Sequence, residues 1–479
     1  MSLDFRNDRI DKMLILNRRI VCGYRVIFFI LGLTLSSGLL YSQSVQEEKK
    51  EPVTNSVIEK EDKPKLEKPA EEKPKVEKTS EEKTSIEKPP EEKAKTEVAP
   101  EKKSESVKVE SGPGKGFKFE TADKLHSIDL RLRIQARADQ SMNIDPSTNT
   151  TKFMVRRSRI QMGGKLFGDD WKYYFQIGLA DRDNESDRRL PLRDASITYN
   201  KHRDAKIIFG QMKIPFSRQR WNSSSALQMV DRSIVQSELN LDRDVGVVLF
   251  SEDFLGMDRK LAYYVGVFGG NGRNRAENNT PGVLTVARLI YSPWGGISKG
   301  GDNNDWLSEV DFNRYKTPKV AFGGAVAYNK NSNRSLSTFG TQYEFARFDY
   351  AHATAEVYLK WLGFSFTLEG LKRKADSPYD EKNISGTLKR EYSRAAEGAF
   401  IQFGYLFQNN WEVSMRYGEY KPIGQTDPNL VRSSEKGIAL SHYFLSHNLK
   451  LQMDYFNYKG SPAVADGDHQ LRFQMQVFY

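Results

Sequence analysis

Arginine recurs at alternate positions in two stretches of this chain. In IDLRLRIQARA, residues 128–138, Arg131, Arg133 and Arg137 stand two or four apart. In the stretch that follows, Arg157, Arg159 and Lys165 keep the same parity, with Arg156 beside them. Residues two apart in an extended chain share one face, so each stretch presents a row of cations. The opposite face carries Ile128, Leu130, Leu132 and Ile134, then Ile160, Met162 and Leu166. Facing Arg157 and Arg159 inward would turn Arg156 outward unless a bulge re-aims it. Such a row suits an anion. A guanidinium offers a planar fork of donors and an ammonium a compact charge.

Other chemistries find little support. The histidines, at 126, 202, 352, 442, 447 and 469, show no metal-ligand spacing, and no cofactor motif appears. The one cysteine is Cys22. Gly269-Gly270-Asn271-Gly272 opens no helix, and no G-x-S-x-G elbow occurs. Lys and Arg total 73 against 63 Asp and Glu, for a net charge of +10. That excess alternates with apolar residues and mixes with acids, which argues against a nucleic-acid partner. A hydrolase on a barrel rim would need His442 or His447 paired with a nucleophile, and spacing pairs neither.

The arginine rows belong to a larger pattern. Period-two segments recur at 128–138, 152–167, 170–181, 190–201, 204–214, 242–252, 259–269, 281–293, 318–330, 349–360, 362–374, 394–408, 410–421, 433–446, 447–459 and 469–479. Each is long enough to cross a bilayer when tilted. The fold class expected is all-β, a transmembrane antiparallel β-barrel of about sixteen strands over 117–479. Short connections such as FGDDW (167–171), KWLG (360–363), FQNNW (407–411) and LSHN (445–448) alternate with long polar ones such as GGNGRNRAENNTPG (269–282). That rhythm is the signature of periplasmic turns and external loops. Trp171, Trp361 and Trp411 fall at the short-turn ends, where an aromatic girdle lies. One connection, 294–317, is too long for the turn its position requires. The last segment, LRFQMQVFY, must close the barrel against the first.

Upstream lie two unlike parts. Arg18, Arg19 and Arg25 precede the apolar run Val26–Leu35, and small residues follow. This is the order of a secretory signal, placed at 1–42. Residues 43–116 repeat a decapeptide, EKPAEEKPKV, EKTSEEKTSI, EKPPEEKAKT, without aromatics. Such a stretch cannot bury enough apolar surface to offset its ordering entropy. It is read as a disordered periplasmic tether.

With the barrel in place, several elements of 153–250 acquire meaning together. They are Arg156-Arg157 with Arg159, Trp171 after a short turn, GQMKIPF (210–216), Asp231-Arg232-Ser233 and Arg243-Asp244-x-Gly246. Their combination and order resemble the phosphate-selective porins of the O and P type. The resemblance implies a sixteen-stranded homotrimer in the outer membrane that passes small anions such as phosphate. It also implies a third loop folded into the lumen as a constriction, here about 215–241, and a terminal aromatic read by the barrel assembly machinery. That loop carries Arg218, Arg220 and Arg232 with Ser223, Ser224 and Ser225, and Lys213 stands at its root. The candidate anion-binding set is therefore these residues with Arg131, Arg133, Arg157 and Arg159. Asp129 and Asp242 or Asp244 also face the lumen, so general anion diffusion would use the same scaffold. The alternative is a surface barrel acting as adhesin or receptor through its long loops.

Overall fold

The computed structural model describes residues 107–479, except 113, 144, 184–190, 276–281, 298–304 and 461–468. The signal segment and nearly all of the tether lie outside the described residues. The chain begins with a hairpin, β1 (Lys108–Gly112) and β2 (Gly116–Glu120). Eleven strands follow: β3 (Ser127–Met142), β4 (Thr150–Leu166), β5 (Trp171–Gly178), β6 (Leu192–Tyr199), β7 (Lys206–Lys213), β8 (Arg243–Ser251), β9 (Leu261–Phe268), β10 (Leu284–Tyr291), β11 (Lys319–Ser332), β12 (Phe348–Trp361) and β13 (Phe364–Ala375). A second hairpin, β14 (Tyr379–Ile384) and β15 (Thr387–Tyr392), stands apart. Five more strands complete the set: β16 (Ala396–Leu406), β17 (Trp411–Pro422), β18 (Ser433–Leu445), β19 (Leu449–Lys459) and β20 (His469–Phe478).

Each of β3–β13 and β16–β20 pairs antiparallel with the next, β13 pairs with β16, and β20 pairs with β3. The result is a closed antiparallel barrel of sixteen strands, and each of the sixteen expected segments coincides with one of them. The period-two pattern is realised inside out. On the closing strand Phe473 and Met475 are about half exposed, whereas Gln474 and Gln476 are 2% and 0% exposed. The outer wall is an apolar belt, including Ile134, Phe153, Phe209, Phe322 and Phe403. Strands closed in this way satisfy every ladder donor without water, which hydrocarbon demands.

Paired strand begins at Lys108, inside the stretch assigned to the tether. β2 pairs with Ser127–Leu130 of β3, and β20 pairs with Arg133–Met142 of the same edge. Between them Leu132 and Tyr479 exchange two backbone hydrogen bonds of 2.8 Å. Two strands thus share one edge end to end, and the Phe117 and Tyr479 rings meet at 5.2 Å across the junction. The β14–β15 hairpin, within the long connection between β13 and β16, is another element that the sequence does not announce.

One glycine is fixed by geometry. Gly210 in β7 has φ +127°, and a Cβ there would lie 2.2 Å from the Ala195 carbonyl oxygen of β6. Gly210→Val is expected to cost about 1–3 kcal/mol of backbone strain. It should lower the temperature at which the folded band disappears in unheated electrophoresis; an unchanged transition would refute the strain.

Candidate anion channel

The loop between β7 and β8 folds into the lumen as the sequence led one to expect. Ser217 caps a helical turn, Arg218–Trp221, by accepting from the Arg220 N–H, and Ser233 caps Ile234–Leu239 through Gln236. One side of this loop is apolar. Phe216, Met229, Ile234, Val235, Leu239 and Leu241 are buried with Val286, Tyr358, Leu371, Phe400, Tyr420 and Phe456 of the β10–β19 wall. The loop therefore fills that half of the lumen and leaves open the half walled by β3–β9.

Carboxylates of the wall hold the loop by its backbone. Glu369 accepts the N–H of Arg218 at 3.1 Å and of Gln219 at 3.2 Å. Asp454 accepts that of Val230 at 2.9 Å, and Glu435 that of Ile234 at 3.2 Å. The overlong connection after β10 explains itself here. From Asp305 onward it turns inward, and Glu309 accepts the Gln228 N–H at 3.0 Å. Lys360 anchors it by donating to the Asp305 carbonyl at 2.8 Å, and Gly363 by donating to Asp311 at 2.9 Å. It is an inturned brace rather than a turn.

The opposite face of the loop looks onto a cavity of about 1830 Å³. It runs from Asp129 and Asp169 at the short-turn end to Arg334 and Gln342 at the long-loop end. Fifteen Lys and Arg line it against seven Asp and Glu among the described residues. That imbalance gives the lumen a positive field in a space of low dielectric walls.

Each predicted residue can now be placed. Arg131, Arg157, Arg159, Lys213, Arg220, Arg232 and the three serines line the cavity. A register shift between Gln135 and Ala136 opposite Arg156 turns this residue inward with Arg157. Arg156 and Arg157 donate to Asp231 Oδ1 at 3.2 and 3.0 Å, and Arg137 donates to the other oxygen. Arg159 donates to Asp183 and to Gln176. Arg220 donates to Asp242 at 2.9 Å. Lys213 donates to the carbonyls of Trp221 and Asn222, at 2.7 and 2.9 Å, and Arg232 donates to those of Gln219 and Asn222. Lys213 and Arg232 thus fasten the end of the helical turn as well as facing the lumen.

Two of the predicted arginines stand elsewhere. Arg218 is fully buried on the filled side, its guanidinium 3.4 Å from the centre of the Tyr358 ring and bonded to the Trp306 carbonyl. Arg133 is buried as a strut between wall and loop, donating to Ser223 Oγ at 3.1 Å. Ser223 and Ser225 share a hydrogen bond of 2.7 Å, and Ser224 Oγ has no partner among the described residues. Arg131 makes no ion pair among them and sits near the short-turn mouth. Arg193, Arg273, Arg275 and Arg334 also line the cavity and have no place in the candidate set, and Arg243, known from the sequence only as part of the Arg243-Asp244-x-Gly246 element, lines it too. Arg193 escaped because a register shift between Gln176 and Ile177 brings it and Asp194 to the same side. Of the acids expected in the lumen, Asp242 accepts from Arg220 and Arg243, whereas Asp244 accepts the backbone N–H groups of Val245 and Gly270. Asp194, which was not expected there, accepts from Arg243 at 2.9 and 3.0 Å.

Burial raises the affinity of Asp231 for a proton, but the guanidiniums of Arg156, Arg137 and Arg157 outweigh it and hold the carboxyl well below its usual range. Burial, and then Arg220, draw Arg232 down to about 9, so it stays cationic at neutral pH. A depressed carboxyl contributes stability that is present above its unfolded value and lost only as pH falls through the folded one. Open-channel current noise is therefore expected to be the same at pH 7 and pH 5. Asp231→Asn should cost about 3–5 kcal/mol, as for a broken buried pair, and make the open channel noisier at both. A quiet Asp231→Asn channel would show that the clamp does not hold the loop.

Comparison with known proteins adds a family. The family model for phosphate-selective porin O and P matches residues 128–479. No curated protein matches the chain. Among solved structures, the outer membrane channel DcaP of Acinetobacter baumannii is similar at 14% identity and a TM-score of 0.46, over 74% of this chain and 97% of that one. A loop L8 deletion mutant of OmpT, an outer membrane protein of Vibrio cholerae, is similar at 10% identity and 0.45, over 74% and 100%. The high-pH structure of OprB from Pseudomonas putida gives 10% and 0.45, over 74% and 94%.

Proposed function

The chain belongs to the phosphate-selective porin O and P family, and on that premise we propose that it passes small inorganic anions, phosphate among them, through its basic channel by passive diffusion. The observation that carries this reading is the excess of cations lining the cavity. An anion entering a narrow lumen sheds part of its hydration shell, and the wall must replace those bonds. A guanidinium has five N–H donors. Arg220, Arg232, Arg157 and Arg159 spend some of theirs on Asp242, loop carbonyls, Asp231 and Asp183, and the rest face the passing ion. Ser224 adds a hydroxyl without charge, and Arg131 meets the ion at the short-turn mouth. Because most of these cations already hold a carboxylate or a carbonyl, none grips too tightly and release stays fast.

In this reading the long loops lie outside the cell, the short turns and residues 43–116 lie in the periplasm, and residues 1–42 direct export. The barrel works as a homotrimer, and the machinery that inserts it reads the last strand. A receptor role draws support from the β14–β15 hairpin, which rises from a long loop with Leu388 exposed near its tip.

Planar-bilayer recordings under a KCl gradient test the proposal. The reversal potential is expected to have the anionic sign, and added phosphate should reduce the chloride current. Arg131→Ala together with Arg220→Ala should move the reversal potential toward zero. A cationic or null reversal potential would overturn the anion reading. Conductance should survive removal of 379–392; a barrel silent with and without the hairpin would favour the receptor.

A further inference from the structure

The outer wall is not uniformly studded with large side chains. On β12, β13 and β16 the outward positions include Ala353, Ala355, Gly370 and Ala399, with Leu368 and Ile401 beside them. Where the belt nearby presents Phe403 on β16 and Met415 on β17, these four positions present only a methyl group or a hydrogen. The result is a hollow of about 990 Å³ on the apolar face.

The hollow is bounded on the long-loop side by charge. Lys372, Glu397 and Lys421 stand directly opposite one another across β13, β16 and β17. Glu397 accepts from Lys372 at 2.6 Å and pairs with Lys421 at 3.4 Å, so one carboxylate serves two ammonium groups. Arg432 pairs with Glu419 and is 70% exposed. Lys374, two residues further toward the long loops, and Lys436, level with Tyr417 nearer the middle of the wall, are exposed on the same outer face and have no partner among the described residues. Tyr417 sits opposite Lys436. The row therefore carries a net positive charge where the apolar belt ends, immediately beyond a recess that exposes backbone and methyl groups.

We propose that this face binds a phosphorylated, acylated sugar lipid of the outer leaflet, with an acyl chain in the hollow and a phosphate on the Lys372–Lys421–Arg432 row. Charge complementarity selects that occupant. A neutral lipid would leave the row without counter-charge, and a second barrel would have to bring its own acids to it. The recess accepts a flexible chain because an alanine or glycine wall lets carbon approach the strands closely. Each basic side chain near an anionic headgroup adds to the attraction, and the effect is local because salt screens it within a Debye length. The proposal rests on the orientation given above, with the long loops outside.

The test uses the full-length protein purified in mild detergent, stripped of lipid and titrated with bisphosphorylated lipid A or with the same lipid after phosphatase treatment. Bound lipid is read by native mass spectrometry. The phosphorylated form is expected to bind, and the treated form to bind at least about tenfold more weakly. Lys421→Ala with Arg432→Ala should give the same loss, and Gly370→Leu, which fills the hollow, should reduce binding without touching a charge. Equal binding of both lipid forms, or undiminished binding by the double variant, would overturn the proposal. A change in the number of copies per assembly with Gly370→Leu would overturn it too, in favour of an interface between barrels. Orientation is read separately, on intact cells carrying Ser385→Cys at the β14–β15 turn. Labelling by a membrane-impermeant maleimide with no lipid binding would defeat the lipid proposal alone. Absence of labelling would defeat the orientation.

Discussion

Wall carboxylates gripping loop amides set the conditions for everything else in this lumen. A loop drawn into a barrel carries backbone donors away from bulk water, and each must find a partner. Here Glu369, Glu435 and Asp454 from the wall and Glu309 from the inturned brace take five of them. A carboxylate buried in this way requires a counter-charge. Arg416 supplies it to Glu435, and Arg472 to Asp454. The filled half of the barrel is therefore a polar lattice wrapped around an apolar loop face. Its charges largely cancel, which leaves the electrostatics of the open half to the residues that line it.

Arginine does double service in that open half. Asp231 draws Arg137, Arg156 and Arg157 onto one point of the loop, and Asp242 does the same for Arg220 and Arg243. Arg156, Arg157, Arg220 and Arg243 line the cavity while they serve as fasteners, and Arg137 lies behind them, buried. Lys213 does both from a single nitrogen, but a guanidinium spreads its donors over a planar fork and can hold a carboxylate by two of them. The preference for arginine here fits a group that both holds the loop and faces the lumen.

Much of this was legible in the residues. Strand number and facing came from period two alone, since burying one face of a strand fixes its register. The sites of Arg131, Arg157 and Arg159 followed from the same parity. Parity failed at Arg156 and Arg193, where a bulge places two neighbours on one side and the bulge depends on pairing with the strand opposite. It could not separate Arg218 from Arg220 either. Both lie in one helical turn, and only the contact of Arg218 with Tyr358 and Trp306, far along the chain, decides which faces water. Parity also says nothing of what a lumen acid does. Glu369, Glu435 and Asp454 hold amides only because the loop lies against them. The overlong connection after β10 had no local signal for its inward turn, because its partners, Glu309 with Gln228 and Asp305 with Lys360, are tertiary.

The uneven filling of the barrel has a mechanical side. Packed protein interior is nearly incompressible, and the β10–β19 wall is backed by it. The β3–β9 wall is backed by water, which can leave through the channel. Lateral pressure from the surrounding bilayer therefore meets a stiff half-cylinder and a compliant one. Strain imposed by the membrane therefore falls mainly on the compliant side, the one that lines the cavity.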